Sequence, residues 1–305
     1  MITATDETRR GTAYVLAAYL MWGLFPLYFD ALKPAGALEI LAHRIVWTMA
    51  LCALILIIRK DLGWLGAALR NRRLMLGMTA AAVLIAVNWG MYVFAVISGQ
   101  TTEASLGYFL NPIVTVVLGV FVLGEQLRRP QLIAVVIGAI AFVYLTIATG
   151  TIPYIALILA CSFGLYALVK KRIGASLTAM RGLVLETAIL TPVAAALIII
   201  TVINGTSTFG SVSTGHTLLL LSNGIVTAIP LLLFAAAARR VPLVTIGLVQ
   251  FITPVMQLIV AITFLDEHMS RQRWIGFGIV WVALLVLSID MLRRRRVRPV
   301  PRPPL

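Results

Sequence analysis

Charge is what this chain has least of. Of its 305 residues, 12% are Asp, Glu, Lys or Arg, where an average soluble domain carries about a quarter. Only 11 residues are acidic and three are histidine. The histidines, His43, His216 and His268, lie in unrelated places, which argues against a membrane enzyme built on clustered carboxylates or histidines. The two cysteines, Cys52 and Cys161, both sit inside apolar runs. A disulfide framework is therefore excluded, and a metal site lacks a ligand set. No glycine-rich phosphate cradle, zinc-ligand spacing or nucleophile elbow occurs, which removes ATP-driven transport by this chain alone. No cofactor, no metal and no enzymatic activity are expected.

What is there is apolar. Hydrophobic residues make up 61% of the chain, and the mean hydropathy is +1.01. Ten apolar runs can be counted: Gly11–Phe29, Glu39–Ile58, Leu74–Ala95, Ala104–Leu123, Gln131–Thr149, Pro153–Val169, Gly182–Ile203, Thr217–Ala237, Val244–Phe264 and Trp274–Leu292. At 1.5 Å per residue each is long enough to cross a hydrocarbon layer of about 30 Å. Backbone groups in lipid must be satisfied within their own segment, and no alternating barrel pattern is visible, so the runs read as helices.

The net charge of +14 suggests nucleic acid at first sight, but the basic residues form no continuous surface. They sit between the runs. Arg9 and Arg10 precede the first; Arg59, Lys60, Arg70, Arg72 and Arg73 follow the second; Arg128 and Arg129 follow the fourth. Lys170, Lys171, Arg172 and Arg181 follow the sixth, Arg239 and Arg240 the eighth, and Arg293 to Arg296, Arg298 and Arg302 the tenth. This puts 21 of the 25 basic residues on one side, which predicts that both termini are cytoplasmic in a multi-pass cell-membrane protein. No nucleic-acid partner is expected. The tail from Arg293 is read as disordered and lying on anionic lipid.

The chain also repeats itself. The stretch E-A-S-L-G-Y-F-L-N-P-I-V at Glu103–Val114, with L-G-E-Q-L-R-R-P-Q after it, returns 142 residues later as T-I-G-L-V-Q-F-I-T-P-V-M and L-D-E-H-M-S-R-Q-R. Phe109 meets Phe251, Pro112 meets Pro254, Glu125 meets Glu267 and Arg129 meets Arg271. Each copy holds five runs, an odd number, so the second enters the membrane upside down. Inverted repeats of this kind characterise secondary transporters, with the site between the halves near the midplane. The resulting division is 1–10 N-tail, 11–149 first repeat, 150–292 second repeat and 293–305 basic C-tail. Arg9, Arg10, the first run and Ala35-Gly36-Ala37 imitate a signal peptide. That run is too long for a signal core, and cleavage would remove a helix from one repeat.

Candidate site residues follow from polar or strained positions inside the runs. Pro112 and Pro254 each free a carbonyl at mid-membrane, which reads as a hinge or cavity-lining break beside Tyr108, Asn111, Gln250 and Thr253, or more plainly as a packing kink. Arg44 is the one basic residue well inside a run, and such residues face a cavity or a partner; the plain alternative is snorkelling. Its repeat equivalent is Glu186. Inversion puts Arg44 and Glu186 at equal depths from opposite faces, about 15 Å apart, so each is assigned its own gate or vestibule. Glu103 is the expected partner of Arg44. His43 is a candidate proton carrier, with structural hydrogen bonding as its alternative. Trp22, Trp47, Asn88, Trp89, Tyr92 and Tyr166 supply aromatic and amide groups, although aromatics in membrane helices ordinarily form belts or core. Glu125–Arg129 and Glu267–Arg271 are spaced for i,i+4 pairs at helix ends, and His216 and His268 read as loop residues without a role.

These residues resemble a known family. The doubled five-helix unit with Leu123-Gly124-Glu125, Gln131-Leu132-Ile133-Ala134 and Gly138 is similar to the EamA unit of the drug/metabolite transporter superfamily. The blocks E-I-L-A-H-R at Glu39–Arg44, Asn88-Trp89 and E-A-S-L-G-Y-F-L-N-P at Glu103–Pro112 resemble RarD-type permeases. The resemblance implies ten helices around a central cavity, alternating access, and export of amino acids, related metabolites or drug-like compounds by a monomer or dimer. Asp266 departs from the pattern where the first copy has Gly124, which puts equal roles for the two glutamates in doubt. A non-transporting membrane scaffold or sensor is the competing reading.

Overall fold

The computed structural model describes residues 4–124, 126, 128–173, 177–238 and 240–297. Among them are α1 (Ala4–Gly23), α2 (Phe25–Asp30), α3 (Ala37–Ile58), the short α4 (Leu65–Arg70), α5 (Arg72–Ile97), α6 (Thr101–Leu123) and α7 (Arg129–Thr149). The second half holds α8 (Tyr154–Ile173), α9 (Ala179–Ile203), α10 (Thr214–Ala238), α11 (Leu243–Val249), α12 (Ile252–Thr263) and α13 (Arg271–Val297). They make ten candidate spans, with α1 and α2 forming the first and α11 and α12 most of the ninth. The C-tail from residue 298, and Glu125 of the expected Glu125–Arg129 pair, lie outside the described residues.

The surface is apolar and part of the interior is polar, the reverse of a soluble protein. Phe121 is 84% exposed and Ile147 77%, while Glu39, Arg44, Asn88, Glu186, Asn223 and Gln257 are buried. Lipid tails solvate the former as well as a protein core would, so burial goes instead to groups that need polar partners. Helices pack mainly across the two halves: α3 on α9 and α10, α6 on α8 and α12, α7 on α13, and α1 on α10 and α12. The pairs α3–α9, α6–α12 and α7–α13 join equivalent spans of the two repeats, as an inverted duplication requires.

An even number of spans puts both chain ends on one face, here called the terminal face. The opposite, distal face is tied by buried and half-buried carboxylates. Glu39 accepts from Thr208 N at 2.7 Å and from the Ser207 and Thr208 hydroxyls. Glu103 Oε1 accepts from Ile155 N at 2.9 Å. Glu267 accepts from Thr101 N at 2.5 Å and Thr102 N at 2.8 Å. In the last two cases the carboxylate sits on a helix N-terminus, where free N–H groups and the dipole favour negative charge. This corrects two expectations. Glu103 is engaged with the start of α8 and does not pair with Arg44, and Glu267 holds the start of α6 rather than Arg271. On the terminal face the ties are part-exposed ion pairs, Arg181–Asp61, Arg128–Asp290 and Arg240–Glu7, each worth about 1 kcal/mol or less.

Removing Glu267 orphans two buried amides, at about 1–3 kcal/mol each. Glu267→Ala is therefore expected to lower the melting temperature of the detergent-solubilised protein clearly. Glu267→Gln, which keeps one acceptor, should lose about half as much.

Candidate functional site

Two spans are broken, and they pack against each other. In the first, Pro26 lies in the opening turn of α2 and has no N–H to give to the carbonyl of Trp22. Gln257 Nε2, from α12, donates to that carbonyl at 3.1 Å. One turn earlier, Thr253 Oγ1 donates to Tyr19 O at 2.8 Å. In the ninth span the helix stops after Val249 and restarts at Ile252. Pro254 stands in the restarted first turn, and its carbonyl accepts from Ser105 Oγ at 2.7 Å. The equivalent Pro112 lies inside the continuous α6. The two prolines therefore do different things: Pro254 adjoins a break, while the α6 backbone carries Pro112 without one.

This arrangement makes a specific prediction about stability. Gln257→Ala should cost about 1–2 kcal/mol, because the Trp22 carbonyl loses its donor. In a Pro26→Ala background residue 26 regains an N–H, and the same change should cost only a few tenths. Additive effects in the four-protein melting cycle would contradict the assignment.

A cavity of about 400 Å³ lies between the halves beside these breaks. Its wall includes Tyr19, Trp22, Phe25, Arg44, Asn88, Trp89, Tyr92, Tyr108 and Asn111 from the first repeat. From the second come Phe163, Tyr166, Lys170, Met180, Leu183, Glu186, Phe234, Gln250, Thr253, Pro254 and Gln257. It reaches the terminal face, since Lys170 is in the last turn of α8 and Ala179, also on the wall, begins α9.

Arg44 is 4% exposed. Its guanidinium carbon lies 4.1 Å from the Trp89 ring centroid, 5.4 Å from Phe29 and 5.7 Å from Phe25. Its Nε donates to Thr227 Oγ1 at 3.0 Å. Among the described residues no carboxylate pairs with it. Aromatic faces attract the cation by about 2 kcal/mol when desolvated, and the planar guanidinium stacks on them where an ammonium would not. A cation is thus held on the cavity wall without a counter-ion.

Glu186, also 4% exposed, has its own partners. Lys170 Nζ donates to Oε1 at 2.8 Å, and Tyr166 OH lies 3.3 Å from both carboxylate oxygens. Arg44 and Glu186 do not pair, as their depths imply, but the expectation of separate vestibules is corrected: both line one continuous cavity. Asn88 Nδ2 donates to Leu159 O and Ser162 Oγ, and its Oδ1 accepts weakly from Tyr108 at 3.4 Å. Tyr92 OH, Asn111 Oδ1 and Gln257 Oε1 face a buried environment without a protein partner, and all three belong to wall residues. Such atoms demand hydrogen bonds from whatever fills the space.

Four sequence candidates lie off the wall. His43 is buried between rings, stacked on Phe209 at 4.7 Å, and its Nδ1 accepts from Trp47 Nε1 at 3.0 Å. That contact occupies Trp47 as well. Glu103 is drawn to the α8 N-terminus, and Pro112 is turned about 100° round α6 from Asn111. His216 is no loop residue: it is buried in α10 with Nε2 2.9 Å from Leu32 O. Sequence reasoning missed Thr227, a lone threonine with no distinguishing signal, and Lys170, which reads as one more charge in a basic loop. Gln257 was legible in principle, as an amide three residues past a proline in an apolar run.

The sequence pattern of the EamA-like transporter family matches residues 9–147 and, a second time, residues 151–289. The chain belongs to that family. Among its EamA relatives is Protein RarD of Streptomyces exfoliatus, 46% identical over 294 residues, covering 96% of this chain and 92% of that one. Another is the uncharacterized transporter YojE of Bacillus subtilis, 40% identical over 293 residues, covering 95% and 97%. A solved crystal structure with 17% identity superposes with a TM-score of 0.59 over 92% of this chain and 98% of the other, a likeness of fold. Ten apolar spans in two EamA repeats make this a multi-pass inner-membrane transporter.

Proposed function

We propose that the protein is a secondary carrier that exports small amphipathic solutes bearing a carboxylate, amino acids and drug-like acids among them, by alternating access. Both termini are cytoplasmic in this reading, so the cavity opens to the cytoplasm. The observation that carries it is Arg44, a buried guanidinium on the cavity wall with aromatic neighbours and no carboxylate. An unpaired buried charge is costly, and a solute carboxylate completes it with two parallel N–H···O bonds. The aromatic wall takes the solute's apolar part, and the unpartnered Asn111 Oδ1 and Gln257 Oε1 accept from its N–H or O–H groups. At about 400 Å³ the space falls within the usual range for small-molecule sites.

The test is counterflow into proteoliposomes preloaded with unlabelled solute, using labelled leucine, phenylalanine and phenylacetate. Saturable exchange of one or more of them is the expected result. Folded protein that exchanges nothing from a broad panel of carboxylates would support a non-transporting scaffold or sensor instead.

A further inference from the structure

Apart from the ion pairs of the terminal face, Glu39, Glu103, Glu267 and Glu186 tie helices together from buried or half-buried positions, and the first three are fixed. Glu39, Glu103 and Glu267 each accept from backbone amides at the distal face, where charge is required for the tie. Glu186 differs. It lies about 10 Å along α9 from the terminal-face end, on the cavity wall, and no backbone amide holds it. Its partners are side chains of one neighbouring helix, Lys170 and Tyr166 of α8. These are also the charged and titratable groups facing it. The helices packed on α9, namely α3, α5 and α10, give it no ion-pair or hydrogen-bond partner among the described residues, and Arg44 of α3 faces the same cavity. Lys170 is a third exposed and stands at the mouth of the cavity.

Arg44 and Glu186 are equivalent positions of the two repeats, 142 residues apart. One carries a charge that does not titrate, since arginine keeps its proton in proteins. The other carries a charge that does. With Lys170 ionised, deprotonated Glu186 leaves Arg44 as the uncompensated charge of the cavity. Protonated Glu186 adds the charge of Lys170 to it. An anion in the cavity is therefore held more firmly when Glu186 carries a proton, and by linkage the proton is held more firmly when the anion is present.

We propose that Glu186 is the coupling site of this carrier, taking up a proton when a carboxylate solute binds at Arg44 and releasing it with the solute on the other face. This rests on the carrier reading above and adds to it the coupling ion and its sense. Proton and carboxylate travel together, so net export requires an outward solute gradient that exceeds the inward proton gradient. The balance is simple: the Glu186 carboxylate plus a proton from one aqueous phase gives the carboxylic acid, Lys170 keeps its own proton, and the step reverses at the other face.

Two measurements decide it. Infrared difference spectra of the reconstituted, solute-free protein, recorded between neutral and acidic buffer, should show a buried carboxylic-acid band that Glu186→Gln lacks and Glu186→Asp retains at a shifted position. In flux assays with labelled phenylalanine and phenylacetate, the wild type should accumulate the probe toward the alkaline side of a pH gradient. Glu186→Gln should keep saturable counterflow at equal pH, at an altered rate, and lose gradient-driven accumulation. A folded Glu186→Gln that accumulates like the wild type overturns the proposal. So does loss of counterflow together with accumulation, which makes Glu186 a solute ligand or a structural ion pair. Wild-type counterflow that ignores the gradient overturns it too. If the wild type shows no counterflow with any probe, the carrier reading itself fails, and the infrared titration still decides whether Glu186 exchanges a proton.

Discussion

Arg44→Ala lowers the affinity for a carboxylate solute by roughly 10- to 150-fold, the worth of a charge-assisted hydrogen bond of about 1.5–3 kcal/mol. The loss is confined to the anion. A matched neutral solute, such as the amide of the same acid, should bind the variant and the wild type alike, because it has no charge for Arg44 to meet. The folded state should not suffer in step. Replacing a buried cation by a methyl group removes its desolvation cost along with its stacking on Trp89 and Phe29, so the melting temperature should hold or rise. Arg44→Lys should fall between the two. An ammonium keeps the charge but loses the fork, the flat stacking and the Nε bond to Thr227. Saturation binding to detergent-solubilised protein, with melting curves beside it, separates these effects.

The second large effect concerns how that arginine is placed. α3 and α10 both run from the distal to the terminal face, and Arg44 meets Thr227 one turn from where Trp47 meets Gly224. A side chain at Gly224 would run directly into the backbone carbonyl of Trp47, and a backbone cannot rotate aside as a flexible side chain can. The helices must separate. Overpacking of this kind costs about 1–3 kcal/mol, occasionally more, so Gly224→Ala should destabilise within that range and Gly224→Val beyond it. Whatever protein folds should also bind a carboxylate more weakly, since Thr227 retreats from Nε. Gly278, in α13, has open space where a Cβ would stand. There the change to alanine should leave melting unchanged or raise it, through helix propensity of up to about 1 kcal/mol. Equal melting of Gly224→Val and wild type would contradict the packing argument.

Much of the fold is legible from the chain because lipid leaves few choices. A run of some 20 apolar residues has to be a helix, and a duplicated odd set has to be inverted. The turn after the fourth and ninth spans shows how far pattern carries. Asp266 departs from Gly124 in identity, yet both take positive φ, 52° and 65°, because aspartate tolerates the left-handed turn better than most residues. What failed to show in the sequence is where the freed backbone groups go. Pro26, Pro112 and Pro254 look alike as prolines in apolar runs, but only the neighbourhoods of Pro26 and Pro254 hold a break. Helix packing that brings Gln257 to Trp22 O and Ser105 to Pro254 O decides that.

The site divides in the same way. Arg44, Glu186, Asn88 and the aromatic wall stand out as polar or amphipathic groups in apolar runs, and the cavity gathers them. Their partners do not stand out. Charge balance favours Glu103 for Arg44, but a helix N-terminus draws that carboxylate away, and a threonine 183 residues distant takes its place. Lys170 is indistinguishable in sequence from the residues that set topology, although it sits on the wall beside Glu186.

The measurement closest to the central claim is competition between an acid and its own amide for the wild-type cavity. Phenylacetate and phenylacetamide share shape and apolar surface and differ in the one charge that Arg44 is placed to meet. Displacement of a bound carboxylate probe by the acid, at least tenfold better than by the amide, with the preference abolished in Arg44→Ala, is the predicted result. Equal displacement by both in the wild type would contradict the assignment of Arg44 as the carboxylate anchor.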